Sequence, residues 1–246
     1  AKVLRSLPKL KVISRCGSGM DNLDLKIIKE RGIKIYSIPL APVRAVAELT
    51  IALILNLLRG VNRMDAFVHQ GRWERSIGSL LCEKNAGIIG FGKVGRRVAE
   101  LLTPFGCKIA YTDPFVKGPC MGLRSLSLRK LLAWADIVTI HVSGSKRVLE
   151  EKEFGLMKKG AWLINTSRGG VIDESALYQA LKDGRLAGCA LDVFEQEPYT
   201  GVLSGLSNVL LTPHIGSYAK EARIKMEYQA VENLIKGLKR VNRRML

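Results

Sequence analysis

Short β-branched apolar runs alternate along this chain with stretches in which apolar residues recur every three or four positions. That alternation is the pattern of parallel strands joined by crossover helices. A first series places strands at LKVIS (10–14) and IKIY (33–36), with a helix between them capped by Asp21 or Asn22 and stopped by Gly32. VAELTIALILNLLRG (46–60) is apolar nearly all round and reads as a buried helix, whereas 61–75 is more polar and reads as an exposed helix or arm. A second, longer series then gives strands at AGII, KIAYT, IVTIH, AWLIN, AGCALD and NVLLT. Its helices fall at Lys93 to Leu102, SLRKLLAWA, around EEKEFGLM, and at ESALYQALKDG, which makes a complete doubly wound domain. In the last stretch, 219–240, Ala222, Met226, Ala230 and Leu234 share one helical face, and such a helix could return to cover the first series.

Composition narrows the class. At 246 residues and 47% hydrophobic, the chain can bury a sizeable core. Its longest apolar stretch, Leu49 to Leu58, is interrupted by Asn56 and too short to span a bilayer, and the opening segment lacks the apolar block of a signal peptide. No membrane association is expected. Five scattered cysteines, with no C-x-x-C among them, argue against a disulfide framework or a metal site and fit a reducing cytoplasm. The formal charge of +17 invites a nucleic-acid reading. The basic residues are dispersed, however, and the densest group, KGLKRVNRRML, lacks interleaved aromatics, so the expected partner is a small anion and not a nucleic acid.

The glycine motif GFGKVG (Gly90 to Gly95) follows a strand and opens a helix, and Asp113 stands at the end of the next strand. Gly90 serves the turn, Gly92 lets backbone approach a pyrophosphate, and Gly95 lets the helix pack on its strand. The carboxylate of Asp113 would accept from a ribose and repel a 2′-phosphate, which favours NAD over NADP; Lys117 lies near enough in sequence to soften that preference. Three further loops end strands of the second series: NTSRGGVIDE with Arg168, LDVFEQEP with Asp192, Glu195 and Glu197, and TPHIGS with His214. Each has a dull explanation alone, as a surface ion pair, a turn acid and a packed ring. Ligands of doubly wound sheets bind beyond the carboxyl ends of the strands, so jointly the three loops supply an anion clamp, a histidine partner and a proton carrier.

The set RCGSGMDNLD, VAELTIALILNLLR, GFGKVG, NTSRGGVID, ALDVFEQEP and TPHIGS resembles the D-isomer-specific 2-hydroxyacid dehydrogenase family, which includes phosphoglycerate dehydrogenase and glyoxylate reductase. The resemblance implies a Rossmann NAD domain at 61–217, inserted into a smaller flavodoxin-like α/β substrate domain from 1–60 and 218–246 that is incomplete at its N-terminal side. It implies hydride transfer between nicotinamide and C2 of a D-2-hydroxy or 2-keto acid, with Arg168, Glu197 and His214 as the catalytic triad. Arg168 would bind the carboxylate and carbonyl oxygen, His214 would exchange the hydroxyl proton, and Glu197 would hold His214. Cofactor contacts fall to Ser18, Gly90, Gly92, Lys93, Val94, Gly95, Asp113, Val142, Thr166, Ser167, Asp192, Gly216 and Ser217, and substrate contacts to Ser18, Gly19, Arg168 and His214. The loop VSGSKRVLEE is shorter than the family's and lacks its proline. A homodimer built through the arm around Phe67 to Trp73 is also implied. The charge bias extends the substrate class to phosphorylated acids such as 3-phosphoglycerate, with Arg44 as either their contact or a solvated arginine. A NAD-sensing or co-repressor protein without turnover is the alternative.

Overall fold

The computed structural model describes residues 2–116 and 118–242, so Lys117 lies outside the described residues. The chain forms two compact units, Ala1–Ala45 with Ser217–Leu246, and Val46–Gly216. In the smaller unit α1 (Lys2–Arg5), β1 (Val12–Ser14), α2 (Leu25–Glu30) and β2 (Lys34–Tyr36) follow one another, with β1 and β2 parallel in the register Val12↔Lys34. Leu4, Ile28 and Ile33 form its buried centre. The cap of α2 is neither Asp21 nor Asn22. Asp24 holds it, accepting the Ile27 N–H at 3.0 Å, because the helix starts one turn later than the polar cluster suggests.

The larger unit opens with α3 (Val43–Arg59), most of which it contains, and α4 (Val61–His69). The compact units divide at 45/46 and 216/217, where the sequence leads one to expect 60/61 and 217/218. Physically, Leu53, Ile54 and Leu58 of α3 pack with Ile88, Phe91 and Val98 of the larger unit's core, so apolar burial assigns the helix there. Gly60, left-handed at φ 61°, separates α3 from α4, and α4 buries no side chain, as its polar pattern predicts. Among the described residues no single helix is long and apolar enough to cross a membrane.

The sheet of this unit is built from β3 (Asn85–Ile89), β4 (Lys108–Thr112), β5 (Arg124–Ser125), β6 (Ile137–Ile140), β7 (Ala161–Asn165), β8 (Leu186–Leu191) and β9 (Val209–Leu211). All seven are parallel, in the order β5-β4-β3-β6-β7-β8-β9. Helices α5 (Lys93–Leu102), α6 (Leu128–Trp134), α7 (Glu151–Leu156) and α8 (Glu174–Lys182) supply the crossovers, and two apolar clusters fill the space on the two faces. Only the two-residue β5 lacks a hydrophobic signature. Strand order reverses between β3 and β6, the position at which open α/β sheets bind ligands.

The final helix, α9 (Lys220–Asn242), belongs to the smaller unit and covers its two strands as the Met226 and Ala230 spacing predicts. Ser14 Oγ donates to the Ala230 carbonyl at 2.7 Å. Gly237 sets the approach: a Cβ there would lie 2.6 Å from Val12 Cγ1 and 2.8 Å from Tyr36 Cε2, so only glycine fits. Leu234, expected on the same face, is exposed.

His141, at the end of β6, is buried with Nε2 on Thr139 Oγ1 at 2.9 Å and no partner for Nδ1 among the described residues. Burial pushes its pKa from the usual 6.5 down to about 3. The unfolded chain therefore takes up a proton below pH 6.5 that the folded chain refuses, and stability falls as pH drops from 6.5 towards 3. The expected slope is about 1.4 kcal/mol per pH unit from this one group. Urea unfolding at several pH values should show that slope reduced in His141→Gln, whatever its stability at neutral pH.

Candidate active site

The glycine motif takes the form its spacing requires. Gly90 follows β3 at φ +90°, and a Cβ there would lie 2.6 Å from the His141 carbonyl carbon and oxygen and 2.8 Å from the Val142 nitrogen. The turn is thus pressed against the end of β6, which places the Val142 backbone beside it. Gly95 is packed as tightly, its Cβ position lying 2.1 Å from the Gly90 carbonyl oxygen. Gly92, by contrast, has nothing within 4 Å of its Cβ position and caps α5. Open space, an approachable backbone and the N–H groups of Lys93, Val94 and Gly95, to which the first turn offers no intrahelical acceptor, meet the requirements of a pyrophosphate. A dinucleotide fits this cradle.

Asp113 is engaged within the protein. One carboxylate oxygen accepts the Phe91 N–H and the other the Phe115 N–H, both at 2.7 Å, so the side chain ties the glycine loop to the turn after β4. Each oxygen keeps a lone pair for a ribose hydroxyl. Phe91, within the loop, is buried and stacks on Tyr111 with centroids 3.9 Å apart.

The loops after β7, β8 and β9 form a second group at the same edge of the sheet, since these strands are adjacent and parallel. Asn165, which sequence reasoning passed over, organises the first. Its Oδ1 accepts from the Ser167 N–H and Oγ, and its Nδ2 donates to the Arg168 carbonyl at 2.8 Å. Thr166 shares a 3.0 Å hydrogen bond with Thr50 of α3, so both predicted hydroxyls already have protein partners. Arg168 Nη1 donates to the Ser167 carbonyl at 2.7 Å.

Asp192 is almost fully buried and serves the third loop. Oδ1 accepts Thr212 Oγ1 at 2.6 Å and the Ile215 N–H at 2.8 Å, and Oδ2 accepts the Gly216 N–H at 2.8 Å. Between these anchors His214 adopts φ 53°, a left-handed conformation that His and Asn tolerate better than most residues. Its Nδ1 donates to Glu197 Oε2 at 2.8 Å, and Glu197 Oε1 accepts the Phe194 N–H at 3.2 Å. The histidine is half exposed, with Nδ1 committed to the carboxylate and Nε2 left to face a ligand. His214 is therefore not a packed core ring.

In the smaller unit, the Ser18–Gly19 loop after β1 is closed by Arg15, whose Nε donates to the Gly19 carbonyl, and by the Gly17 carbonyl accepting the Ile38 N–H at 2.9 Å. Ser18 is exposed, and Ser217 also falls in this unit. Arg44 is exposed on α3. Among the described residues no group of three His, Cys, Asp or Glu side chains could hold a metal.

Residues 51–216 match the family model described as the NAD-binding domain of D-isomer specific 2-hydroxyacid dehydrogenases. A glyoxylate reductase of Thermococcus litoralis is 40% identical over 95% of this chain and 76% of its own length. A D-3-phosphoglycerate dehydrogenase of Archaeoglobus fulgidus is 37% identical over 97% of this chain but only 48% of its own length. Among solved structures, an NADPH-dependent glyoxylate/hydroxypyruvate reductase of Sinorhizobium meliloti in complex with NADP and malonate superposes with a TM-score of 0.88 at 30% identity, over 94% of this chain and 76% of that one. Such relatives favour an enzyme over a sensor without turnover. The cradle for a dinucleotide, the carboxylate–imidazole pair at the end of β9 and the family match converge: the chain belongs to the D-isomer specific 2-hydroxyacid dehydrogenase family and is an NAD(P)-dependent oxidoreductase of 2-hydroxy acids.

Proposed function

We propose that the chain catalyses interconversion of a short 2-keto acid and its D-2-hydroxy acid, with His214 as proton carrier, Glu197 as its holder and Arg168 as the carboxylate clamp. The observation that carries this reading is the 2.8 Å hydrogen bond from His214 Nδ1 to Glu197 Oε2 in a backbone turn held by Asp192. An ionised carboxylate only accepts, so it fixes a proton on Nδ1 and leaves Nε2 to give or take the proton of the C2 oxygen. Arg168, fixed in a forked guanidinium geometry, suits a carboxylate and the adjacent carbonyl oxygen. Bound NAD(H) supplies the hydride exchange at C2, and the cradle at Gly92, Lys93 and Val94 would hold its pyrophosphate. Relatives at 40% and 39% identity bear the name glyoxylate reductase, which favours short keto acids over 3-phosphoglycerate.

His214→Asn retains a residue suited to the left-handed backbone while removing the proton carrier. Its kcat for glyoxylate or hydroxypyruvate reduction should fall by roughly 10² to 10⁴, with melting temperature and NADH affinity little changed. Near-normal turnover in that variant would overturn the assignment.

Asp113 bears on cofactor choice. Its carboxylate beside the ribose site disfavours a 2′-phosphate, so kcat/KM with NADH should exceed that with NADPH by at least roughly tenfold, and Asp113→Ser should narrow the ratio. Equal efficiency with both cofactors in the unaltered chain would count against it.

A homodimer is supported by the apolar side chains that the arm leaves uncovered, Val61, Val68, Trp73, Ile77 and Leu80. Sedimentation velocity at micromolar concentration should show a dimer that Trp73→Glu dissociates; a monomer throughout the range would dismiss it.

A further inference from the structure

The loop that carries Glu197 is held from outside the catalytic group by an ion-pair cluster. Arg147, in the segment after β6, donates from Nη1 to Asp173 Oδ2 at 3.0 Å and from Nη2 to Glu195 Oε1 at 2.5 Å. Its backbone is fixed first: the N–H groups of Val148 and Leu149 both donate to the Val171 carbonyl, and the Asp173 N–H donates to the Leu149 carbonyl. The 147–149 segment thus runs beside 171–173, and the guanidinium is aimed at the start of α8. Asp173 caps that helix, accepting the Ser175 and Ala176 N–H groups at 3.0 Å. Its neighbour Glu174 accepts the Glu195 N–H at 2.7 Å. Glu195 is therefore seized twice, through its carboxylate by Arg147 and through its amide by Glu174.

Three observations connect this seizure to the chemistry. The Phe194 N–H, one residue before Glu195, donates to Glu197 Oε1, the oxygen that His214 does not use. The Phe194–Glu195 peptide also lies directly on Gly169: a Cβ at that glycine would fall 1.8 Å from the Phe194 carbonyl carbon and 2.4 Å from the Glu195 nitrogen. Gly169 follows Arg168 without a break, so the peptide that presents Glu197 and the turn that presents Arg168 share one contact. Finally, stacking of Phe194 on Tyr199, with centroids 4.3 Å apart, fixes the far side of the same loop.

We infer that Arg147 is a positioning residue of the active site: by bridging Asp173 and Glu195 it fixes the Phe194–Glu195 peptide, which orients Glu197 on His214. The inference rests on the reading of Glu197 and His214 given above. The bridge matters through geometry, since its partners are each about one-third exposed and exposed pairs contribute little to stability. A displaced Glu197 would leave His214 with an unanchored ring and an undefined tautomer.

The first experiment needs no turnover. Long-range 15N–1H spectra of the ligand-free protein should show a hydrogen-bonded Nδ1–H for one of the three histidines, assigned to His214 by its loss in His214→Asn. Arg147→Gln should abolish or weaken that signal while the His141 resonances stay in place as a report of folding. Arg147→Lys should restore it in part, because an ammonium can meet one carboxylate but not bridge both in a fixed fork. Retention of the Nδ1–H signal in Arg147→Gln overturns the inference. The second experiment is a cycle in turnover. Arg147→Gln should lower kcat by roughly tenfold with KM and NADH affinity within about twofold, and should have no further effect in a Glu197→Gln background. Multiplicative losses would show that Arg147 acts independently of Glu197 and would equally overturn it. Wild-type turnover in Glu197→Gln would instead remove the catalytic reading of that residue, and the spectra would still decide the role of Arg147.

Discussion

Asp192 brings a carboxylate to a position almost without solvent and spends both oxygens on the backbone and side chain of one loop. Burial without partners would cost several kcal/mol, and partners are available only if residues 212–216 curl around the carboxylate. The curl requires a residue in the left-handed region between Pro213 and Ile215, and that residue is His214. Its imidazole then reaches Glu197 in a loop that begins directly after Asp192. One buried acid at the end of β8 thus sets the turn after β9 and, through it, the distance between acid and imidazole. The rest of the site is arranged around that constraint.

The neighbouring loops are positioned by the same means, with backbone and small side chains held by polar anchors. Asn165 does for the Ser167–Arg168 turn what Asp192 does for the His214 turn, and Asp113 does it for the glycine loop. Contacts too close for any Cβ complete the arrangement, at Gly90 against β6, at Gly95 against Gly90 and at Gly169 against Phe194. Such positions fix where functional groups lie more tightly than side-chain packing does, because peptide units have few soft degrees of freedom. The loop VSGSKRVLEE, which has no proline, is held to residues 171–173 by backbone hydrogen bonds.

Much of this was legible in the sequence, for identifiable reasons. The alternation of β-branched runs and helical spacing gave every strand of the larger sheet except β5, whose two residues, Arg124 and Ser125, carry no apolar signal. GFGKVG and Asp113 were legible because anion binding at a helix start dictates both residue type and spacing. What stayed hidden depends on contacts between segments distant in sequence. Three acidic or amide residues at 21, 22 and 24 could each cap α2, and only the register of the fold selects Asp24. The helix α3 is apolar on most sides, so its pattern announces burial without naming the core it joins; contact with Ile88 and Val98 decides. Arg147 and Glu195 stand 48 residues apart, and nothing in either local sequence marks the pair.

That last case shows how strand order converts distance in sequence into a shared site. Strands β6, β7 and β8 are neighbours, so the segments leaving their carboxyl ends must lie side by side whatever their composition. The segment after β6 contributes Arg147, that after β7 contributes Arg168, Gly169 and Asp173, and that after β8 contributes Glu195 and Glu197. The middle segment touches both outer ones, at Asp173 with Arg147 and at Gly169 with the Phe194–Glu195 peptide. The proposed anion clamp and the carboxylate partner of the imidazole, placed on separate, independent loops, would each fluctuate alone. Here one peptide, Phe194–Glu195, touches Gly169 on one side and the Phe194 N–H donates to Glu197 on the other, so the relative placement of Arg168 and Glu197 follows from the packing of a main-chain segment.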